Sequence, residues 1–364
     1  MSPTTPQLKH ALAALLLASL AGCGTDPVSP ATTPDGAVMP DSAVAPDSAV
    51  APDVAVTPDV PATPDVAVTP DVPAADVVEP PLMTDSCDAF RAGTVTGFNV
   101  DGRPREFILT LPPGATAPGG RWPVVFNWHG LGDIARNFNG LLAGQVGNAT
   151  MPFILVTPES TGLGPTTAPP GLDWDQLSVM TPNREARLFD AALRCLDERY
   201  GIDRDRVYTV GFSAGAIMSD LLGVLRGDQL AAIASFSGGY FANPANPATL
   251  GVLRSFVSWP DLTTRNPYPQ LLVSGGTADT FNLVVATARF NVFAANDSTW
   301  LRARGHDVIA CDHGRGHTVP TALMGQRLVE FFATHPRGVT GAPWAAGLPS
   351  GYPDYCTFQG RGAM

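Results

Sequence analysis

The chain has 364 residues, with 22 Lys+Arg against 33 Asp+Glu and a formal charge of −11 that is unevenly placed. No Lys or Arg stands between Lys9 and Arg91, where residues 24–90 carry twelve acids, whereas 21 Arg offset 21 acids from Arg91 onward. No basic excess exists anywhere to neutralise phosphates, which argues against nucleic acid as a partner, and thirteen of the 36 Pro also fall in residues 24–90, so two unlike materials are joined.

Lys9 and His10 precede an apolar run, Ala11 to Ala21, that is too short to span a bilayer as a mature helix. A basic start, a short apolar stretch and small residues at its end read as an export signal. The run ends in Leu20-Ala21-Gly22-Cys23, which resembles the bacterial lipoprotein box. That resemblance implies removal of residues 1–22, a lipid on Cys23, and a membrane contact made through that lipid. Gly24 instead of Asp after the Cys implies the outer membrane or cell surface as the destination, with release to the medium as the alternative.

Residues 23–86 are expected to form a tether. Pro-Asp pairs begin at Pro34, Pro40, Pro46, Pro52, Pro58, Pro64 and Pro70, a six-residue period filled with Ala, Val and Thr. Proline at that density removes ladder donors and breaks helices. The composition instead favours a semi-rigid polyproline-like spacer extended by its own charge, reaching roughly 180 Å for ~60 residues at about 3.1 Å each.

Residues 87–364 are long enough for one α/β domain with a full core. Thr94–Val100 and Arg105–Leu111 flank Asp101-Gly102, a hairpin signal. Pro123–Trp128 and Pro152–Thr157 are short apolar runs of the buried-strand type. Arg184–Tyr200 carries helical periodicity, Val207–Gly211 reads as a strand, and Ala214–Arg226 as a helix. Ala231–Phe236 and Gln270–Gly275 are again strand-like; Ala286–Arg304 reads as helix, Asp307–Ala310 as strand, and Thr321–Thr334 as a closing helix. Alternating strands and helices predict a mostly parallel central sheet with helices on both faces. The Gly- and Pro-rich tail from Pro336 is expected to wrap the surface.

Gly211-Phe212-Ser213-Ala214-Gly215 fits G-x-S-x-G, with an apolar strand before it and an apolar helix after it. That setting marks a nucleophile elbow, a tight turn that holds a serine hydroxyl above the sheet edge. A serine hydroxyl needs a base, and the base an orienting acid, in the chain order Ser, acid, His. Asp279 follows the strand QLLVSG, and His317 follows the last strand, so Ser213, Asp279 and His317 match that order. His313 is the rival base, while Asp261 and Asp297 lack a preceding apolar strand. Backbone N–H groups of Ala214, after the nucleophile, and Leu131, in the loop after PVVFNW, are the candidate oxyanion donors. His129 precedes the serine and is assigned to shaping that loop beside the substrate. No metal is expected: Gly314 and Gly316 prevent His313 and His317 from sharing a helix face, and no Cys pair has zinc spacing.

The segments PVVFNWHGLG, VYTVGFSAGAIMS, GGTADT and CDHGRGHTVP together resemble the LpqC-like polyhydroxybutyrate depolymerases and feruloyl esterases, over about residues 87–335. The resemblance implies an α/β-hydrolase fold and a cofactor-free serine esterase, with Ser213 as nucleophile, His317 as base and Asp279 as orienter. It further implies feruloyl or acetyl esters of plant polysaccharide, or short polyhydroxyalkanoates, as substrates, and places Trp174 near the substrate. The chain departs from the pattern at Ala216, where relatives often carry a second Gly, and at Val319, where many carry Trp. The alternative function is a catalytically weak scaffold that serves as a surface binding module.

With Cys23 assigned to lipid, Cys87, Cys195, Cys311 and Cys356 remain. An even number in an exported chain favours disulfides, and four cysteines allow three connectivities. A monomer is expected.

Overall fold

The apolar runs become adjacent strands of one sheet in the computed structural model, which describes residues 79–114, 116–160, 173–177, 182–283 and 286–362. The export signal, Cys23 and nearly all of the proposed tether lie outside the described residues. The strands are β1 (Gly93–Val100), β2 (Arg103–Thr110), β3 (Trp122–Trp128), β4 (Ile154–Pro158), β5 (Ile202–Phe212), β6 (Ala232–Phe236), β7 (Gln270–Ser274), β8 (Thr280–Leu283), β9 (Ala286–Arg289), β10 (Val308–Asp312) and β11 (Cys356–Gly360). Nine of them form a sheet in the order β1-β2-β4-β3-β5-β6-β7-β10-β11. The block from β4 to β10 is parallel, and β1, β2 and β11 extend its margins through antiparallel pairings.

The strands β3, β4, β6 and β7 read as near-continuous apolar runs because both of their faces are covered. In β3, Val124, Phe126 and Trp128 pack into one apolar layer with Phe189 and Leu193. Val125 faces the other layer, with Phe138, Leu328 and Phe332. The first layer is built on α2 (Arg184–Tyr200) and α3 (Ala214–Arg226), the second on α1 (Ala135–Leu142) and α5 (Gln326–Thr334). Helix α2 starts where the Asn183 side chain accepts from the N–H groups of Glu185 and Ala186, and stops at Gly201 with φ 68°.

Four sequence expectations are corrected here. The predicted helix from Ala286 begins only at Phe290, because Ala286–Arg289 pairs with Thr280–Leu283 as a two-stranded ribbon before α4 (Phe290–Arg302). The closing helix starts at Gln326 and not Thr321, after Gly325 at φ 123°, a conformation that interrupts any helix running from Thr321. The tail does more than wrap the surface: Cys356–Gly360 adds an edge strand to β10, held by the Cys311–Cys356 disulfide. Residues 79–86, assigned by composition to the tether, pack on the domain. Glu79 pairs with Arg226 at 2.7 Å, Leu82 lies against the core, and Thr84 bridges Val100. A second disulfide, Cys87–Cys195, ties this entry segment to α2.

Candidate active site

Strand β5 ends at Phe212, and the chain turns at Ser213 with φ 54° and ψ −120° before α3 begins at Ala214. Non-glycine residues rarely adopt positive φ, and the turn survives because its flanks are glycines under close approach. A Cβ on Gly211 would stand 2.1 Å from the Gly215 carbonyl oxygen, and one on Gly215 would stand 2.1 Å from the Trp128 carbonyl oxygen. The pattern G-x-S-x-G is therefore a packing requirement between β5, β3 and α3.

The structure brings Ser213, Asp279 and His317 together from three loops. His317 Nε2 lies 2.9 Å from Ser213 Oγ, and its Nδ1 lies 2.7 Å from Asp279 Oδ1. A carboxylate only accepts, so Nδ1 carries the proton and Nε2 is left to accept from the serine hydroxyl. Asp279 is fully buried, and its Oδ2 accepts from the Gly275 N–H at 2.8 Å and from the Ser237 hydroxyl at 2.9 Å. The imidazole lies between two rings: Phe290 stacks on it at 4.7 Å and 14°, and Phe212 at 4.7 Å and 32°. Phe290 also donates its N–H to the Asp279 carbonyl oxygen, so the ring that braces the base is fastened to the acid.

The loop carrying His317 is docked on the loop after β7 through backbone contacts. The Gly316 N–H donates to Gly275 O at 2.8 Å, and a Cβ on Gly275 would meet Gly316 O at 1.9 Å. His313 points its chemistry elsewhere. Its N–H donates to Ser274 O and its Nδ1 accepts from the Arg315 N–H, with no contact to Ser213. Asp297 is also committed elsewhere, accepting from the Tyr240 N–H and from the amides of Asn243 and Asn246. Burial pushes its carboxyl up to about 7.

Gly130 sits against the nucleophile, since a Cβ there would lie 3.5 Å from Ser213 Cβ. The next N–H, that of Leu131, has no acceptor among the described residues, and neither has that of Ala214 in the first turn of α3. Its loop is tied down on both sides of Leu131: His129 Nδ1 donates to Gly130 O at 2.9 Å, and the Gly132 N–H donates to Asp173 Oδ2 at 2.8 Å. Trp174 differs from the expectation of a place near the substrate, and His129, in the loop it was assigned to shape, is likewise enclosed. Their side chains are buried, with ring centroids 4.6 Å apart and planes tilted by 52°, and Trp174 Nε1 donates to His129 O. As placed, they brace the loop and present no surface to a ligand.

Sequence reasoning missed Ser237, Phe290 and Gly275. Gly275, inside GGTADT, and Phe212, inside the elbow motif, lie within quoted motifs, whereas Ser237 and Phe290 carry no local signal. Of the other His and Cys side chains near this loop, Cys311 is in a disulfide and His306 Nδ1 donates to Tyr268 O. Beside the site, Ile217, Phe241, Leu250, Ala288, Phe290 and Phe293 form a separate apolar cluster with the half-buried Trp259 and Phe281 at its margin.

Residues 121–253 match the family model described as phospholipase/carboxylesterase. The chain is 23% identical over 253 residues to "Probable feruloyl esterase C" of Aspergillus terreus, covering 69% of this chain and 81% of that protein. It is 25% identical over 171 residues to feruloyl esterase D of Neurospora crassa, covering 46% of this chain and 56% of that protein. Among solved structures, native pOPH superposes with a TM-score of 0.58 at 17% identity, over 75% of this chain and 95% of that one. Native sOPH superposes with a TM-score of 0.59 at 18% identity, over 74% and 95%. These structural likenesses speak to the fold.

Proposed function

We propose that this chain, an α/β-hydrolase of the esterase family, is an exported serine esterase that works through an acyl-enzyme on Ser213. The observation that carries the reading is the continuous bond path from Ser213 Oγ through His317 to Asp279 Oδ1, at 2.9 and 2.7 Å. In the acylation step Ser213 Oγ bonds to the ester carbonyl carbon while its proton passes to His317 Nε2. Asp279 stays ionised and stabilises the imidazolium. The carbonyl oxygen, now an oxyanion, accepts from the N–H groups of Leu131 and Ala214. Collapse breaks the carbonyl–alkoxy bond, and the departing alcohol takes the proton from Nε2. Water then repeats the sequence: His317 takes its proton, hydroxide adds to the acyl carbon, and Ser213 is reprotonated as the acid leaves.

The substrate on this reading is a carboxylic ester with an apolar acyl group, met by the half-buried Trp259 and Phe281 at the margin of the buried Ile217, Phe241 and Phe290 cluster. Feruloyl esters of plant polysaccharide fit that wall better than acetyl esters, with short polyhydroxyalkanoates as the third candidate. The names of the relatives support the aromatic acyl choice. Two disulfides support an oxidising compartment, and the lipoprotein-like box supports an anchor on Cys23. Product release from methyl ferulate, acetylated xylan and hydroxybutyrate oligomers, by wild type and Ser213→Ala, tests the reading. The expected order has methyl ferulate first and Ser213→Ala inactive on all three. Equal rates for the two proteins, or no release from any ester, would overturn it.

A further inference from the structure

We propose that Ser237 is a positioning residue for this site: its hydroxyl holds the Asp279 carboxylate in the orientation that aims Oδ1 at His317. The inference rests on the serine-esterase reading above. Strand β6 lies between β5, which delivers the nucleophile, and β7, which leads to the acid. Phe212 and Phe236 are in register, so Ser213 and Ser237 are the next residues on neighbouring strands. Ser213 donates its N–H to Phe236 O at 2.9 Å, and Ser237 donates its own to Val273 O at 2.7 Å. The end of β6 is thereby fastened between the two reacting strands.

Ser237 sits at φ 54°, a conformation in which glycine is the easy choice, yet the side chain retained there is a hydroxyl. It is 2% exposed, and the hydrogen bond its hydroxyl makes is to Asp279 Oδ2 at 2.9 Å. Asp279 is fully buried and depends on protein donors for its charge. Three donors reach it: His317 on Oδ1, and Ser237 and the Gly275 N–H on Oδ2. Without Ser237, the Gly275 N–H is the one donor left on Oδ2 of the carboxylate. The second donor fixes its plane, and through it the tautomer and tilt of His317.

The test compares Ser237→Gly with wild type on p-nitrophenyl acetate, alone and combined with Asp279→Ala. Glycine accepts the backbone angle freely, which offsets part of the lost hydrogen bond, so Ser237→Gly remains folded at the assay temperature. Its kcat falls about 10-fold, the worth of one hydrogen bond to a charged group, while KM stays within about twofold. With Asp279→Ala already present, Ser237→Gly lowers the residual rate no further, because its partner is gone. A Ser237→Gly protein with wild-type kcat would overturn the proposal, as would a full loss that persists without Asp279. An inactive wild type would instead remove the esterase reading beneath it.

Discussion

Ser213 and Ser237 share the same unusual backbone angle, φ 54°, at the ends of adjacent strands, and the geometry of the site is organised around that pair. One presents its hydroxyl to His317, the other to Asp279, so the two serines address opposite ends of one bond path. A different residue reports on pH. His306 is buried, its Nδ1 donates to Tyr268 O at 2.8 Å, and burial lowers its pKa from 6.5 to about 4. Between those values the unfolded chain binds more protons than the folded one. The contribution of His306 is therefore fully present above pH 6.5 and is lost as the pH falls toward 4. The stability margin of wild type over His306→Asn, which keeps an N–H donor, shrinks by roughly 2–3 kcal/mol across that window. Denaturant titrations at several pH values check this, and a margin that does not change with pH would count against it.

At the scale of elements, the nucleophile loop is held by glycine packing and the base loop by an edge strand and a covalent link. Cys311 closes β10 just before the His317 loop, and its bridge to Cys356 spans a separation of 45 residues. Replacing both cysteines with serine lowers unfolding stability by about 2–4 kcal/mol. Limited proteolysis then cuts the tail near β11 faster than in wild type. Unchanged stability and an uncut tail would show that β11 holds by its ladder alone. The parallel core was legible in the sequence because β3, β4, β6 and β7 are short apolar runs flanked by turns. The elbow was legible because both its glycines and its flanking elements lie within one stretch. The pairing of Ala286–Arg289 with Thr280–Leu283 was not legible, since Ala286–Arg289 has the composition of a helix start. Ser237 was invisible for a related reason: its partner, Asp279, is 42 residues away and nothing local marks the contact. Trp174 was placed near the substrate by the family resemblance alone, and no local signal marks the bond from its indole to His129 O.

For the whole molecule, the acidity belongs to residues 24–90 and the domain from Arg91 is formally neutral. The charge therefore concerns the proposed spacer and says little about what the domain hydrolyses. If Cys23 carries a lipid, Cys23→Ser moves the protein from the membrane to the soluble fraction while specific activity stays the same. Unchanged membrane fractionation would contradict the anchor and leave the chemistry untouched. The central claim is that Ser213 is a nucleophile activated by His317, and covalent labelling of the folded chain by a fluorophosphonate tests it most directly. The account predicts a single adduct on Ser213 by peptide mass analysis, absent in Ser213→Ala and slowed at least about 100-fold in His317→Ala. No adduct on the wild type, or an equal adduct on Ser213→Ala, would contradict it.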